Sequence, residues 1–74
     1  MNASSRNLKP PSLTPRQLEI LQLSADGYTT STAADLLHCA PRTVGIHRSS
    51  IIRRLGARDM HQAVAIGFQR GLIR

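Results

Sequence analysis

Apolar residues return at helical spacing in four stretches of the chain, each bracketed by residues that start or stop a helix. In the first, Leu18, Leu21 and Ala25 repeat with Ile20 beside them. Thr14 is a good N-cap and Pro15 a good first helical residue, because proline there loses no hydrogen bond. Gln17 completes a capping box with Thr14, and Leu13 and Leu18 have the spacing of a hydrophobic staple. Gly27 marks the stop, so the pattern predicts a helix from Pro15 to Asp26. Thr29 caps a second, short helix, Thr30 to Leu37, with Ala33, Leu36 and Leu37 as its buried side. The link His38-Cys39-Ala40 is tight, and Pro41 pushes Ala40 out of helical geometry while favouring a fresh start. The third helix runs from Pro41 to Leu55 and ends at Gly56. Val44, Ile51 and Leu55, with His47 or Arg48 between, form its inward seam; Arg42, Ile46, Ser49 and Arg53 fall on another side. Asp59 caps a fourth helix, and Gln62 makes a second capping box. Met60, Ala63, Val64 and Gly67 face inward there, Gly71 closes the helix, and Leu72 and Ile73 return to the core. No strand-like alternation occurs. The fold class expected is all-α: a four-helix helix-turn-helix domain over residues 13–74, with its third helix the recognition helix. Residues 1–12 are polar and read as a flexible N-terminal arm.

Composition narrows the core. With one Phe, one Tyr and no Trp in 74 residues, it must be built from Leu, Ile, Val and Ala, which suits packed helices. A lone cysteine, Cys39, has no internal disulfide partner, which fits a reducing, cytoplasmic setting. No apolar run approaches the ~18 residues of a membrane span, so no membrane association is expected.

Charge changes the picture more. The formal net charge is +6. Arg42, Arg48, Arg53, Arg54 and Arg58 all lie between Pro41 and Arg58, where there is no Asp or Glu. Glu19, Asp26, Asp35 and Asp59, the four acids, lie outside that stretch. Clustering of this kind is the electrostatic footprint of a polyanion site; charge alone leaves RNA or an anionic membrane open. A short helix, a three-residue turn and a longer basic helix select DNA, because an α-helix fits the major groove with its first turns at base edges and its flanks at phosphates. Arg42 lies in the first turn, within easy reach of base or phosphate. Ile46 meets a thymine methyl if it points outward, or joins the core if the phase slips by one. Ser49 and Ser50 are small and polar. Arg48, Arg53 and Arg54 suit backbone phosphates. Thr30 and Ser31, in the hydroxyl-rich start of the second helix, point free amides and hydroxyls towards phosphate, or serve only as caps.

Other chemistry is poorly served. His38, Cys39, His47 and His61 fit no zinc spacing, and no carboxylate pair, glycine-rich phosphate loop or nucleophile with a nearby base occurs. An enzyme, a metal site and a cofactor are not expected. His47 suits packing at a helix junction.

The residues resemble a known family. Leu13-Thr14-Pro15-Arg16-Gln17-Leu18-Glu19-Ile20-Leu21 looks like the opening of the LuxR-type (GerE-type) helix-turn-helix. Asp26-Gly27-Tyr28, Pro41-Arg42-Thr43-Val44 with His47, Ile51, Arg54-Leu55-Gly56 and Ala63-Val64 match the rest. The likeness covers Leu13 to Ile73 and implies four helices, a third-helix reader, and a fourth helix that commonly pairs two subunits on a two-fold DNA site. With almost nothing before the domain, the chain resembles the single-domain members. By resemblance Thr43 is a phosphate contact and Glu19 a structural anchor, such as for an arginine of helix 3. The departures fall on the DNA face. Gly45 stands where the family usually has Lys, Ser50 where Asn is frequent, Ala40 where Ser is frequent, and Thr30-Ser31-Thr32-Ala33-Ala34 where Asn-Lys-Glu-Ile-Ala is frequent.

The function expected is a DNA-binding transcription regulator using helix 41–55, with double-stranded DNA and a second copy of the chain as partners. Ala65 and Phe68 are the expected dimer contacts, unless Phe68 only covers helix 1. The competing expectation is an adaptor of the same fold with weak DNA binding, paired with another transcription regulator or RNA polymerase. Gly45 motivates it. An architectural protein without sequence choice is a third.

Overall fold

The structure is a computed structural model and describes residues 13–74; the expected arm, 1–12, lies outside the described residues. Four helices form: α1 (Pro15–Ala25), α2 (Thr30–Leu37), α3 (Pro41–Leu55) and α4 (Met60–Gln69). No strand occurs among the described residues.

The starts follow the capping chemistry. Thr14 Oγ1 accepts from the Gln17 amide at 3.1 Å, and Gln17 Oε1 accepts from the Thr14 amide at 2.9 Å, a complete capping box. Thr29 Oγ1 accepts from the Thr32 amide, and Asp59 Oδ1 from the Gln62 amide. The expected second box closes one residue early: Gln62 Oε1 takes the Arg58 amide at 2.6 Å, not that of Asp59. Ala40, before α3, offers no side-chain acceptor.

All four helices end alike. Gly27, His38, Gly56 and Gly71 have positive φ. At each, the next residue's amide reaches back to a carbonyl five residues earlier: Tyr28 to Leu23, Cys39 to Ala34, Ala57 to Ile52 and Leu72 to Gly67. This Schellman arrangement satisfies carbonyls the helix would leave open. The position in the α2–α3 turn is the exception in residue type. His38 sits at φ 57° and ψ 46°, where a side chain costs roughly 1–2 kcal/mol.

α3 packs against each of the other three helices, while α2 and α4 do not touch. Ile20 and Leu21 of α1 and Val44 and Ile51 of α3 are fully buried at the centre, ringed by Ala33, Leu55, Ala63 and others. Ile73 returns to this core and Leu72 packs beside it, as expected. Gln22 holds the returning chain with both ends of its amide: Nε2 donates to the Arg74 carbonyl and Oε1 accepts from the Arg74 amide. Gly67 is buried where α4 crosses α1; a Cβ there would lie 2.9 Å from Leu21 Cδ2.

One core assignment changes. Leu36 is 51% exposed, and Ala34 is buried in its stead. The small side chains of Ala33 and Ala34 form the face that α2 presents to the core, which rotates Leu36 to the rim.

Candidate nucleic-acid interface

Fifteen residues of α3 are divided between two duties. Val44, Ile51 and Leu55 are buried, while Arg42, Ile46, Ser49 and Arg53, at steps of four, three and four residues, are exposed on the opposite side. Ile46 is 62% exposed, so the one-residue phase ambiguity is resolved outward. Thr43 and Arg54 are also exposed, on the shoulder of this strip. His47 is half-buried, as packing requires. Gly45 has nothing within 4 Å of where a Cβ would stand, so no neighbour inside the protein demands a glycine there.

Two of the candidate residues make hydrogen bonds within the protein. Arg48 is half-buried beside the inward seam, and its Nη1 donates to Ser24 Oγ of α1 at 2.9 Å. It is not part of the outer strip, because its place on the helix lies next to Val44 and Ile51. Ser50 is half-buried, and its Oγ accepts from Gln17 Nε2 at 3.0 Å. Gln17 is itself 5% exposed, so a capping residue of α1 also braces the middle of α3. Sequence reasoning missed this bond; the 33 residues between the partners leave no local trace of it.

At the start of α2, Thr29 and Thr32 bring their hydroxyls within 2.8 Å of each other, so these two serve the cap. Thr30 is half-buried and Ser31 exposed. Glu19 pairs with Arg16 of its own helix at 3.6 Å, an exposed pair of small worth. On α4, Met60, Ala63 and Gly67 are buried as expected and Val64 is half-buried. His61, Ala65 and Phe68 line the outward side, Phe68 being 50% exposed. Among the described residues no three of His, Cys, Asp and Glu come together, and no helix is long and apolar enough to cross a membrane.

A short helix, a turn held left-handed at His38 and a longer helix with a cationic outer strip define a helix-turn-helix of the DNA-binding regulator class. The chain belongs to the LuxR family of bacterial regulatory proteins: residues 11–66 match the family described as "GerE: Bacterial regulatory proteins, luxR family". It is 43% identical over 61 residues to proteins described as "Response regulator protein VraR" from Staphylococcus aureus and from Staphylococcus epidermidis. That match takes in 82% of this chain and 29% of each relative, so the chain spans under a third of those proteins. A solved structure titled "Structure of Transcription factor, GerE" superposes with a TM-score of 0.81 at 32% identity, covering 84% of this chain and 92% of that one.

Proposed function

We propose that the domain binds double-stranded DNA with sequence preference through the outer strip of α3, as a two-fold dimer, and thereby regulates transcription in the cytoplasm. One observation carries this reading: Arg42, Ile46, Ser49 and Arg53 are exposed together on a helix that bears no carboxylate. Arg42, in the first turn, reads a base edge, with guanine its best bidentate partner, and Ile46, one turn on, meets a thymine methyl. Arg53 and Arg54 lie late in the helix and hold the phosphate backbone, as Thr43 does at its start. Thr30 and Ser31 take a phosphate at the start of α2. The outward surface of α4, Ala65 and the half-exposed Phe68, pairs two copies, which sets two α3 helices about one DNA turn, ~34 Å, apart. The likeness to a solved structure titled "Structure of Transcription factor, GerE" supports transcription control as the outcome.

Selection of bound fragments from a random DNA pool, with a salt titration and the mass of the free and bound protein, tests this. The expected result is an enriched two-fold motif, affinity falling steeply with salt, and a complex holding two chains. Steep salt dependence without enrichment would instead mean an architectural protein. The adaptor reading draws on Gly45 and on the inward turn of Arg48, which leave fewer cations outward; it predicts no retention of DNA at moderate salt.

A further inference from the structure

A second feature lies on the side of α3 turned away from the outer strip. The end of α1, the middle of α3 and the start of α4 enclose a cleft of about 310 Å³, lined by Ser24, Tyr28, Arg48, Met60, His61 and Val64 among others. Arg48 is its only lining residue with a permanent charge, and no carboxylate lines it. Arg48 is half-buried, and its guanidinium donates to a neutral partner, the Ser24 hydroxyl, at 2.9 Å.

The donor inventory is one-sided. A guanidinium has five N–H groups in a planar fork and no acceptor. Ser24 accepts from Arg48 through oxygen and keeps its own proton to donate. The Tyr28 hydroxyl and an imidazole N–H of His61 supply further donors at the rim, where both residues are exposed. Met60 and Val64 add an apolar wall. A cation is repelled by Arg48, and an apolar ligand would leave these donors unmatched. An oxyanion answers both the charge and the donors, since N⁺–H···O⁻ bonds are the strong ones and the fork fits planar or tetrahedral oxygens.

We propose that this cleft binds a small oxyanion, a phosphate or a carboxylate, with Arg48 as its charged anchor and Ser24, Tyr28 and His61 as supporting donors. Because three helices meet there, the bound anion ties α1, α3 and α4 together and stabilises the fold by mass action. None of these residues belongs to the outer strip, so the site stands or falls independently of DNA binding.

The test is an amide NMR titration of the full chain without DNA, with inorganic phosphate and acetate added separately at constant ionic strength. Saturable shifts of the Ser24, Gly27, Tyr28, Arg48 and His61 amides are expected. They should vanish in Arg48→Gln, whose dispersed spectrum reports that it still folds. If that variant unfolds, His61→Ala is decisive: a rise in Kd of about threefold or more supports the site, and an unchanged Kd overturns it. Shifts that never saturate, or that gather at Arg42 and Arg53 alone, also overturn it. Saturation by phosphate only, or by acetate only, tells which oxyanion the cleft takes.

Discussion

Along α3, Val44, Ile51 and Leu55 are buried while Arg42, Ile46, Ser49 and Arg53 stand in solvent, although the two sets interleave within one helix. Every residue of the first set answers to the other helices, and its chemistry follows from the need to fill space. The second set answers to nothing within the protein. An apolar Ile46 kept outward between arginines has no account in the fold, and its account must come from outside. Stability and recognition are thus separated on one helix, and substitutions on the two sides should fail in different assays.

Four substitutions put that separation to work. Ile51→Ala should have the largest effect, a loss of about 2–5 kcal/mol in urea or thermal unfolding, since it empties a fully buried site. A domain this small has little stability to spare, so a folded variant with unchanged midpoint would break the division. Arg42→Ala should leave the unfolding midpoint alone and weaken binding to the selected DNA motif by about 1–3 kcal/mol, read by gel shift, with relaxed preference at one base position. Ser50→Ala, on the border, should cost about 1 kcal/mol of stability by depriving Gln17 Nε2 of its acceptor. A binding defect that exceeds this loss would move Ser50 back to the outer side. Gly45→Ala should give the smallest effect and the opposite sign, a gain of just under 1 kcal/mol, because a Cβ there meets nothing within 4 Å and glycine is a poor helix former. If the same variant binds DNA less well, the open space at Gly45 serves close approach of the duplex; if binding is unchanged, the glycine is merely tolerated.

The helices were legible because their punctuation is local. Thr14, Pro15 and Gln17 announce α1 within four residues, and Gly27 and Gly56 end their helices where expected. Each of the four helices ends within a residue of its expected bound. What escaped was non-local or lay at the edge of a pattern. The left-handed turn at His38 carries no glycine to advertise it. The Gln17–Ser50 bond and the Gln22 clamp on Arg74 join residues far apart in sequence. Arg48 sits where the inward seam gives way to the flank, so spacing alone left it among the DNA contacts. Spacing gave no sign of its hydrogen bond to Ser24 on α1. Leu36 shows that apolar identity is not burial: two alanines, Ala33 and Ala34, are buried on α2 while Leu36 stands half exposed.

The uncapped beginning of α3 has a consequence of its own. Ala40 supplies no oxygen to the first turn, so α3 is the one helix of the four whose opening is left unfinished by the residue before it. An acceptor arriving from outside can complete what Ser would have completed there, and the free helix forgoes about 1 kcal/mol until it does. Occupancy and order at that tip then rise together, and slower amide exchange at Arg42 would be an early sign that a partner has arrived.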